Sequence, residues 1–196
     1  MDRTETHPES PVADPGPVRA RGRRRRAAWA LFAVLATAIV VSDQLLKQWI
    51  VANYQPYQIR PVIDDWLRID FIHNGGGLFG LFQGTAPVFA LVTVAVVLLI
   101  VAMELRWGWR SWGMTLALGL LLGGAVGNLI DRIRLNYVID FADIGIGSWR
   151  WYVFNMADMA VTCFFLLIIG MWLFTPRLLS GGADEAGADG EGPVAQ

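Results

Sequence analysis

Four predominantly apolar blocks alternate with segments in which charged residues, prolines and glycines are frequent. The blocks run from about Ala27 to Ile50, Pro87 to Met103, Met114 to Ile130 and Trp151 to Phe174. Each block is close to the ~20 residues that a helix needs to cross the hydrocarbon of a bilayer. The pattern predicts a membrane protein with four transmembrane helices.

The connection between the first two blocks predicts a small extramembrane sheet. From Leu67 to Phe71, apolar and charged residues alternate as in a half-buried strand. Pro56, Pro61 and the pair Asp64-Asp65 are expected to break this connection into short strands or turns. The run of glycines after Asn74 fits a loop that approaches a substrate or a helix closely, or a flexible turn that re-enters the membrane.

Composition supports the membrane assignment, and charge suggests an orientation. Hydrophobic residues make up 55% of the 196 residues, which is high for a soluble domain of this size. The net charge of −1 conceals a cluster of arginines before the first block and four acids after the last. Such a cluster next to a span holds its side in the cytoplasm. It has no interleaved aromatic residues, so a nucleic-acid-binding patch is disfavoured. Four crossings then leave both termini cytoplasmic.

These features divide the chain into three parts. Residues 1–26 are predicted to be a disordered basic cytoplasmic arm, residues 27–175 a four-span membrane domain, and residues 176–196 a disordered acidic tail. The single cysteine, Cys163, is interpreted as a small hydrophobic residue packed in a helix.

Polar residues are placed so that they meet at the outer ends of the spans. Asp43 and Lys47 are one helical turn apart, as are Asn128 and Arg132, and Asn155 lies three residues before Asp158. In the predicted topology, seven polar residues lie toward the outer ends of their spans and are expected to meet near the outer surface. They are Asp43, Lys47, Asn128, Asp131, Arg132, Asn155 and Asp158.

Asp140 and Asp158 are the strongest candidates for chemistry. Asp158 is seven residues after Trp151, about 10 Å along a helix, which would place it just below the headgroups. Asp140 has apolar neighbours and could fold over Asp158. Ionisable groups at membrane depth are usually functional, and two adjacent carboxyls can share one proton and divide acid and base roles. The chain is therefore a candidate intramembrane hydrolase.

Structural roles remain open for the other polar residues. Asp43 with Lys47 is best interpreted as a neutralising ion pair, and Asp131 beside Arg132 fits a charged helix end equally well. Asn128 and Asn155 could join helices by hydrogen bonds. The alternative function is a small ion or proton transporter with a relay of aspartates, although the second span carries no ionisable residue. A non-catalytic anchoring protein is a third hypothesis.

Several local motifs resemble those of the lipoprotein signal peptidases, a family of bacterial membrane aspartic endopeptidases. The resemblance spans about Ala27 to Phe174. It rests on Asp43-Gln44-Leu45-Leu46-Lys47, on Asn74 with its glycines, on the stretch from Gly123 to Arg132, on Val138-Ile139-Asp140-Phe141 and on Phe154-Asn155-Met156-Ala157-Asp158. After Asn74 the family usually has Gly-Ala-Ala-Phe, whereas this chain has extra glycine.

The resemblance implies a function and a division of roles. Asp140 and Asp158 would form the catalytic dyad, without metal or organic cofactor. Supporting roles toward the dyad, the loops or the substrate would fall to Asn128, Arg132, Asn155, Asp43, Lys47, Asn74 and Asp131. The family cuts diacylglyceryl-modified prolipoproteins before the lipidated cysteine and is inhibited by globomycin. We therefore expect an inner-membrane, monomeric protein that contacts lipids and no nucleic acid.

The fold implied by the resemblance is a membrane all-α fold. It consists of a four-transmembrane-helix bundle with a small extracytoplasmic β-cradle and a short outer helix. The active site would lie at the outer face of the inner membrane, and the spacing does not distinguish which aspartate carries the proton.

Overall fold

The computed structural model describes residues 17–76 and 85–174. Its helices are α1 (Pro17–Asn53), α2 (Ala86–Arg106), α3 (Trp112–Leu135) and α4 (Met156–Phe174), with a short 3-10 turn at Gly108–Arg110. Its strands are β1 (Ile59–Ile63), β2 (Leu67–Asn74), β3 (Val138–Ile146) and β4 (Trp149–Arg150). Within the described ranges, all four helices are long and apolar enough to cross a membrane. The four predicted spans are confirmed as helices.

Helix α1 is longer than the sequence pattern predicted. It begins at Pro17, so residues 17–26 are helical, and the prediction of a disordered arm over residues 1–26 is wrong for them. Proline is tolerated in the first turn of a helix and arginine is a good helix former, so the cationic segment extends the span without a break. Residues 1–16 and the predicted tail 176–196 lie outside the described residues.

Helix α3 is central because its glycines let two other helices approach. A Cβ atom at Gly123 would lie 2.7 Å from a side-chain carbon of Ile39 on α1. A Cβ atom at Gly124 would lie 2.5 Å from the carbonyl oxygen of Ala157 on α4. Contacts this close exclude any side chain, so the glycines set the distances from α3 to α1 and α4.

The four strands form one antiparallel sheet in the order β1-β2-β3-β4. The predicted strand at Leu67 to Phe71 is confirmed within β2, and Asp64-Asp65 forms the preceding turn. Pro61, however, does not end a strand. It lies inside β1, at the sheet edge beside a register shift, where the ladder tolerates a residue without an N–H.

Buried apolar residues attach the sheet to the helices. Ile50 at the end of α1, Phe71 of β2 and Ile139 of β3 form one core cluster. A second cluster of Phe32, Ile100 and Leu118 joins α1, α2 and α3 farther along the helices. The sheet therefore packs against the C-terminal ends of α1 and α3, where β3 follows α3 in the chain.

The segment before α4 is extended, which corrects the predicted fourth span. Residues Trp151 to Asn155 are not helical, and Phe154 exchanges backbone hydrogen bonds of 2.8 and 3.0 Å with Ala142 of β3. Since α4 begins only at Met156, Asp158 lies in its first turn. The estimate of about 10 Å of helix before Asp158 was therefore wrong.

The short outer helix implied by the resemblance does not occur in residues 54–76 or 136–155. Residues 77–84 lie outside the described part of the chain, and they include most of the glycine-containing departure after Asn74.

Candidate active site

Asp140 lies on β3 with its side chain almost fully buried. Its exposed fraction is 2%. One carboxyl oxygen accepts a hydrogen bond of 2.6 Å from the Asn155 amide, and the other accepts one of 2.9 Å from the Asn74 amide of β2. Among the described residues, no lysine or arginine lies within ion-pair distance of this carboxyl. Asp140 is thus held in place by neutral donors.

Asp158 approaches the same point from the first turn of α4. Its Oδ1 accepts a hydrogen bond of 2.8 Å from the Asn128 amide, and its Oδ2 accepts one of 3.3 Å from the backbone N–H of Asn155. The backbone N–H of Asp158 in turn donates to the Asn155 side-chain oxygen at 3.0 Å. This reciprocal arrangement at a helix start is a capping interaction and fixes the rotamer of Asp158.

Asn155 and Asn128 connect the two carboxyls. Besides binding Asp140, the Asn155 amide donates to Asn128 Oδ1 at 3.0 Å, while the Asn128 amide nitrogen binds Asp158. Asn155 is fully buried and Asn128 is 9% exposed. The predicted hydrogen bond between helices is present, and it also positions Asp140 and Asp158, which we call the carboxyl pair.

Burial changes the proton affinity of the carboxyl pair. Desolvation by burial, together with the charge of Asp158, raises the pKa of Asp140 to about 7. Burial, followed by the charges of Asp158 and Asp140, also raises the pKa of the Tyr152 phenol. Tyr152 therefore lies close enough to respond to both carboxyls, although no motif in the sequence marked it as a candidate.

Lys47 is the centre of a second polar group beside the carboxyl pair. Its ammonium lies 2.8 Å from Asp43, 2.9 Å from Asp131 and 3.1 Å from the Asn128 side-chain oxygen. We call these four residues the lysine cluster. The predicted Asp43–Lys47 ion pair is present. The interpretation of Asp131 as a charged helix end at the interface is wrong, because Asp131 is 2% exposed and paired with Lys47.

The lysine cluster joins the helices to the sheet. Asp43 accepts a hydrogen bond of 3.0 Å from the backbone N–H of Ala157 at the start of α4. Asp131 accepts one of 3.1 Å from the backbone N–H of Ile139 on β3. Gln44, which was not predicted as a site residue, donates to Asp131 at 3.0 Å. Its spacing of three from Lys47 on a helix was the available signal.

Arg132 lies partly buried between the carboxyl pair and α2. Its guanidinium carbon lies 5.7 Å from the centre of the Phe89 ring, and one of its nitrogens donates to the Asn128 carbonyl at 3.4 Å. Its Nε is buried and has no hydrogen-bond partner among the described residues. A guanidinium with an open donor beside two carboxyls can receive a substrate carbonyl.

Glu104 lies one residue beyond the predicted second block, which ends at Met103 and carries no ionisable residue. It lies in α2, is fully buried and accepts a hydrogen bond from Thr115 at 3.3 Å. Thr115 and Asn128 are thirteen positions apart on α3, about 20 Å of helix. Only apolar residues and glycines lie between these two on α3, so this helix carries no relay from Glu104 to the carboxyl pair.

All seven predicted supporting residues lie in one connected polar region with the carboxyl pair. Asn74, Asn128 and Asn155 contact the pair directly. The other four, Asp43, Lys47, Asp131 and Arg132, are connected to it through Asn128. Cys163, in contrast, is exposed and lines an apolar groove with a volume of about 370 Å³, together with Ile144, Trp151, Tyr152, Phe154, Met159 and Thr162.

Comparison with known proteins gives a consistent result over this region. The sequence model of a family described as signal peptidase (SPase) II matches residues 35–174. The lipoprotein signal peptidase of Moorella thermoacetica is 43% identical over 141 residues, which cover 72% of this chain and 90% of that protein. The lipoprotein signal peptidase of Geobacillus thermodenitrificans is 41% identical over 152 residues, with coverages of 75% and 93%.

Two solved structures share the fold. Both are described as bacterial membrane enzymes determined by the in meso method. The one at 2.3 Å resolution has a TM-score of 0.69 and 27% identity, and covers 79% of this chain and 93% of its own. The one at 1.9 Å has a TM-score of 0.67 and 29% identity, and covers 74% of this chain and 93% of its own.

Proposed function

Since this chain belongs to the signal peptidase II family, we propose that it cuts its substrate as an aspartic endopeptidase with Asp140 and Asp158 as the catalytic pair. The chain is a multi-pass protein of the bacterial inner membrane, and it removes signal peptides from prolipoproteins.

The observation that carries the aspartic mechanism is the contrast between two sets of buried acids. Asp43 and Asp131 both pair with Lys47, so their charges are compensated. Asp140 and Asp158 receive hydrogen bonds only from amide groups in the described residues, and Asn155 binds both. No lysine or arginine of the described residues forms an ion pair with this carboxyl pair, and one member has a raised pKa, so the pair retains a shared proton near neutral pH.

In the proposed reaction, the ionised member of the pair takes a proton from a water molecule. The water oxygen attacks the scissile carbonyl carbon while the protonated member donates its proton to the carbonyl oxygen. As the resulting diol collapses, the second carboxyl takes a proton back from a diol hydroxyl. The C–N bond breaks, and the proton on the first carboxyl passes to the leaving nitrogen. One water is consumed, and a new carboxyl terminus and a new amino terminus are formed.

The neighbouring residues would position the pair and the peptide. The amides of Asn128 and Asn155 fix the carboxyl rotamers, and Asn74 holds Asp140 from β2. Arg132 would bind a peptide carbonyl or favour the ionised carboxyl. The raised pKa of Asp140, about 7, lets this carboxyl hold a proton near neutral pH.

The proposed orientation places this site at the outer face of the membrane. Six arginines lie within the first three turns of α1, and a hydrogen bond of 2.9 Å from Arg24 to the Arg110 carbonyl puts the α2–α3 connection at the same end. Positive charge favours the cytoplasm, so the sheet and the carboxyl pair at the other end would face outward. Both termini would then be cytoplasmic.

A lipidated substrate fits the surroundings of the pair. The apolar groove that Cys163 lines opens on α4 beside Tyr152, whose phenol responds to the charge of both carboxyls. We propose that an acyl chain of the diacylglyceryl group lies along this groove, so that the bond before the lipidated cysteine reaches the pair. The membrane then performs part of the positioning.

The test is cleavage of a synthetic precursor with and without the diacylglyceryl group by the full-length protein in vesicles. We expect kcat/KM for the diacylated precursor to exceed that for the free-thiol precursor by at least about a hundredfold, because acyl chains concentrate and orient the peptide. Globomycin should abolish cleavage of the diacylated precursor. Equal cleavage of both precursors, insensitive to globomycin, would contradict the proposed substrate.

A further inference from the structure

Four arginines surround a groove at the end of the helices opposite the carboxyl pair. Arg21 and Arg25 come from the first turns of α1, Arg106 is the last residue of α2, and Arg110 lies in the connection between α2 and α3. The groove has a volume of about 540 Å³ and is completed by Gly22 and Leu105. The proposed peptidase function makes no use of it.

The convergence of these positive charges needs an explanation. Arg21 and Arg25 are one helical turn apart, and like charges at this spacing destabilise a helix. No ion pair in the described ranges joins Arg21, Arg25 or Arg106 to an aspartate or glutamate. Glu104, close in sequence, is fully buried and its carboxyl contacts Thr115. An anion in the groove would offset the repulsion.

The two walls of the groove are held together. Arg24, which does not line the groove, donates a hydrogen bond of 2.9 Å to the backbone carbonyl of Arg110. This contact fixes the cationic start of α1 against the α2–α3 connection. The arginines therefore line a groove whose two walls are fixed relative to each other. A flexible basic tail, in contrast, would be attracted to a membrane surface without forming a defined site.

The position of the groove indicates what the anion is. Arg25 and Arg21 precede the apolar block of α1 by two and six residues, about 3 and 9 Å of helix, which is the depth of lipid headgroups. Leu105 adds an apolar side chain to the arginine lining. Guanidinium groups bind phosphate through paired hydrogen bonds, and basic pockets between membrane helices bind anionic headgroups. We infer that this groove binds the phosphate headgroup of an anionic membrane phospholipid.

The experiment is native mass spectrometry of the full-length protein in detergent, titrated with phosphatidylglycerol or with phosphatidylcholine of the same chain length. The groove variant is Arg21→Gln/Arg25→Gln. The matched control is Arg23→Gln/Arg26→Gln, which removes two charges from the same helix, because both residues are exposed and neither lines the groove. Arg106→Gln probes the opposite wall without changing α1.

The inference predicts one phosphatidylglycerol bound at least about tenfold more tightly than phosphatidylcholine. An exposed ion pair between a guanidinium and a phosphate contributes up to about fivefold, so the groove variant should lose roughly 25-fold in affinity and Arg106→Gln about fivefold. A detergent micelle offers no anionic membrane surface to arginines outside the groove, so the Arg23→Gln/Arg26→Gln control should stay within about threefold of the native protein. Equal losses in the groove variant and the control, or no preference for phosphatidylglycerol, would overturn the inference.

The acidic tail is the competing occupant, and a further variant separates it from lipid. Neutralising its acids in the full-length chain, with Asp184→Asn, Glu185→Gln, Asp189→Asn and Glu191→Gln, should leave the affinity for phosphatidylglycerol unchanged. A tenfold or greater gain would show that the tail occupies the groove and would overturn the assignment to lipid. Because every readout is lipid binding, failure of this inference is distinguishable from failure of the proposed peptidase mechanism.

Discussion

Asp140→Asn and Asp158→Asn are each expected to lower kcat/KM for a diacylated precursor by about a thousandfold or more. Each substitution preserves shape and most hydrogen bonds but removes the ability to exchange a proton, and a positioned acid or base contributes about 10²–10⁴ in rate. Since the two carboxyls act on the same water and carbonyl, the double variant should be little worse than either single one. The measurement is cleavage by purified protein in vesicles.

The control for this result is Asp64→Asn. Asp64 is an exposed aspartate in the turn between β1 and β2, with a φ of 43° that asparagine readily adopts. It lies at the same end of the molecule as the pair and should retain full activity. If either Asp140→Asn or Asp158→Asn remained folded and retained more than a tenth of native activity, the catalytic assignment would be wrong.

Lys47→Met should cause the largest loss of stability, about 3–5 kcal/mol in the free energy of unfolding. Lys47 is 1% exposed and all three of its N–H groups have partners in Asp43, Asp131 and Asn128. Removing the ammonium leaves two buried carboxylates without their cation. Removing one partner of a buried ion pair destabilises a protein far more than replacing both partners with neutral groups. Thermal unfolding in detergent measures the effect.

A compensated variant separates charge from packing. In Lys47→Met/Asp43→Asn/Asp131→Asn the cluster is neutral, so we expect at least half of the lost stability to return. The asparagines keep an oxygen for the backbone N–H groups of Ala157 and Ile139. Asp43→Asn and Asp131→Asn alone should retain measurable cleavage, with lower protein abundance. If the triple variant were less stable than Lys47→Met, buried charge would not be the cause.

The sequence predicted the helices well because a bilayer requires long apolar segments. It predicted their ends less well. Trp151 to Phe154 is an aromatic and aliphatic run that leads directly into the fourth span, yet Phe154 pairs with Ala142 of β3 as extended backbone. Apolar composition marks burial in lipid or protein alike, so it does not reveal where a backbone leaves the helix. At the start of α1 the helix was predicted to begin too late. The arginine-rich segment before Ala27 was interpreted as disordered because it is polar, but residues 17–26 are helical.

For the candidate site, the sequence revealed the residues but not all of their connections. Asp43 and Lys47 share a helix face, so their ion pair was predictable from spacing. The contact from Lys47 to Asp131 joins α1 to α3, and the one from Asn155 to Asp140 joins the start of α4 to β3. Contacts between distant segments depend on helix packing and strand register, which one sequence does not contain.

The shared proton of the carboxyl pair is the central claim, and the dependence of kcat/KM on pH tests it most directly. Burial and the charge of Asp158 raise the pKa of Asp140 to about 7, so this carboxyl keeps its proton below that pH and loses it above. We predict that cleavage of a diacylated precursor falls about tenfold per pH unit above an apparent pKa near 7, and also falls in acid once both carboxyls are protonated. A rate that stays constant or increases from pH 7 to pH 9 would contradict the account.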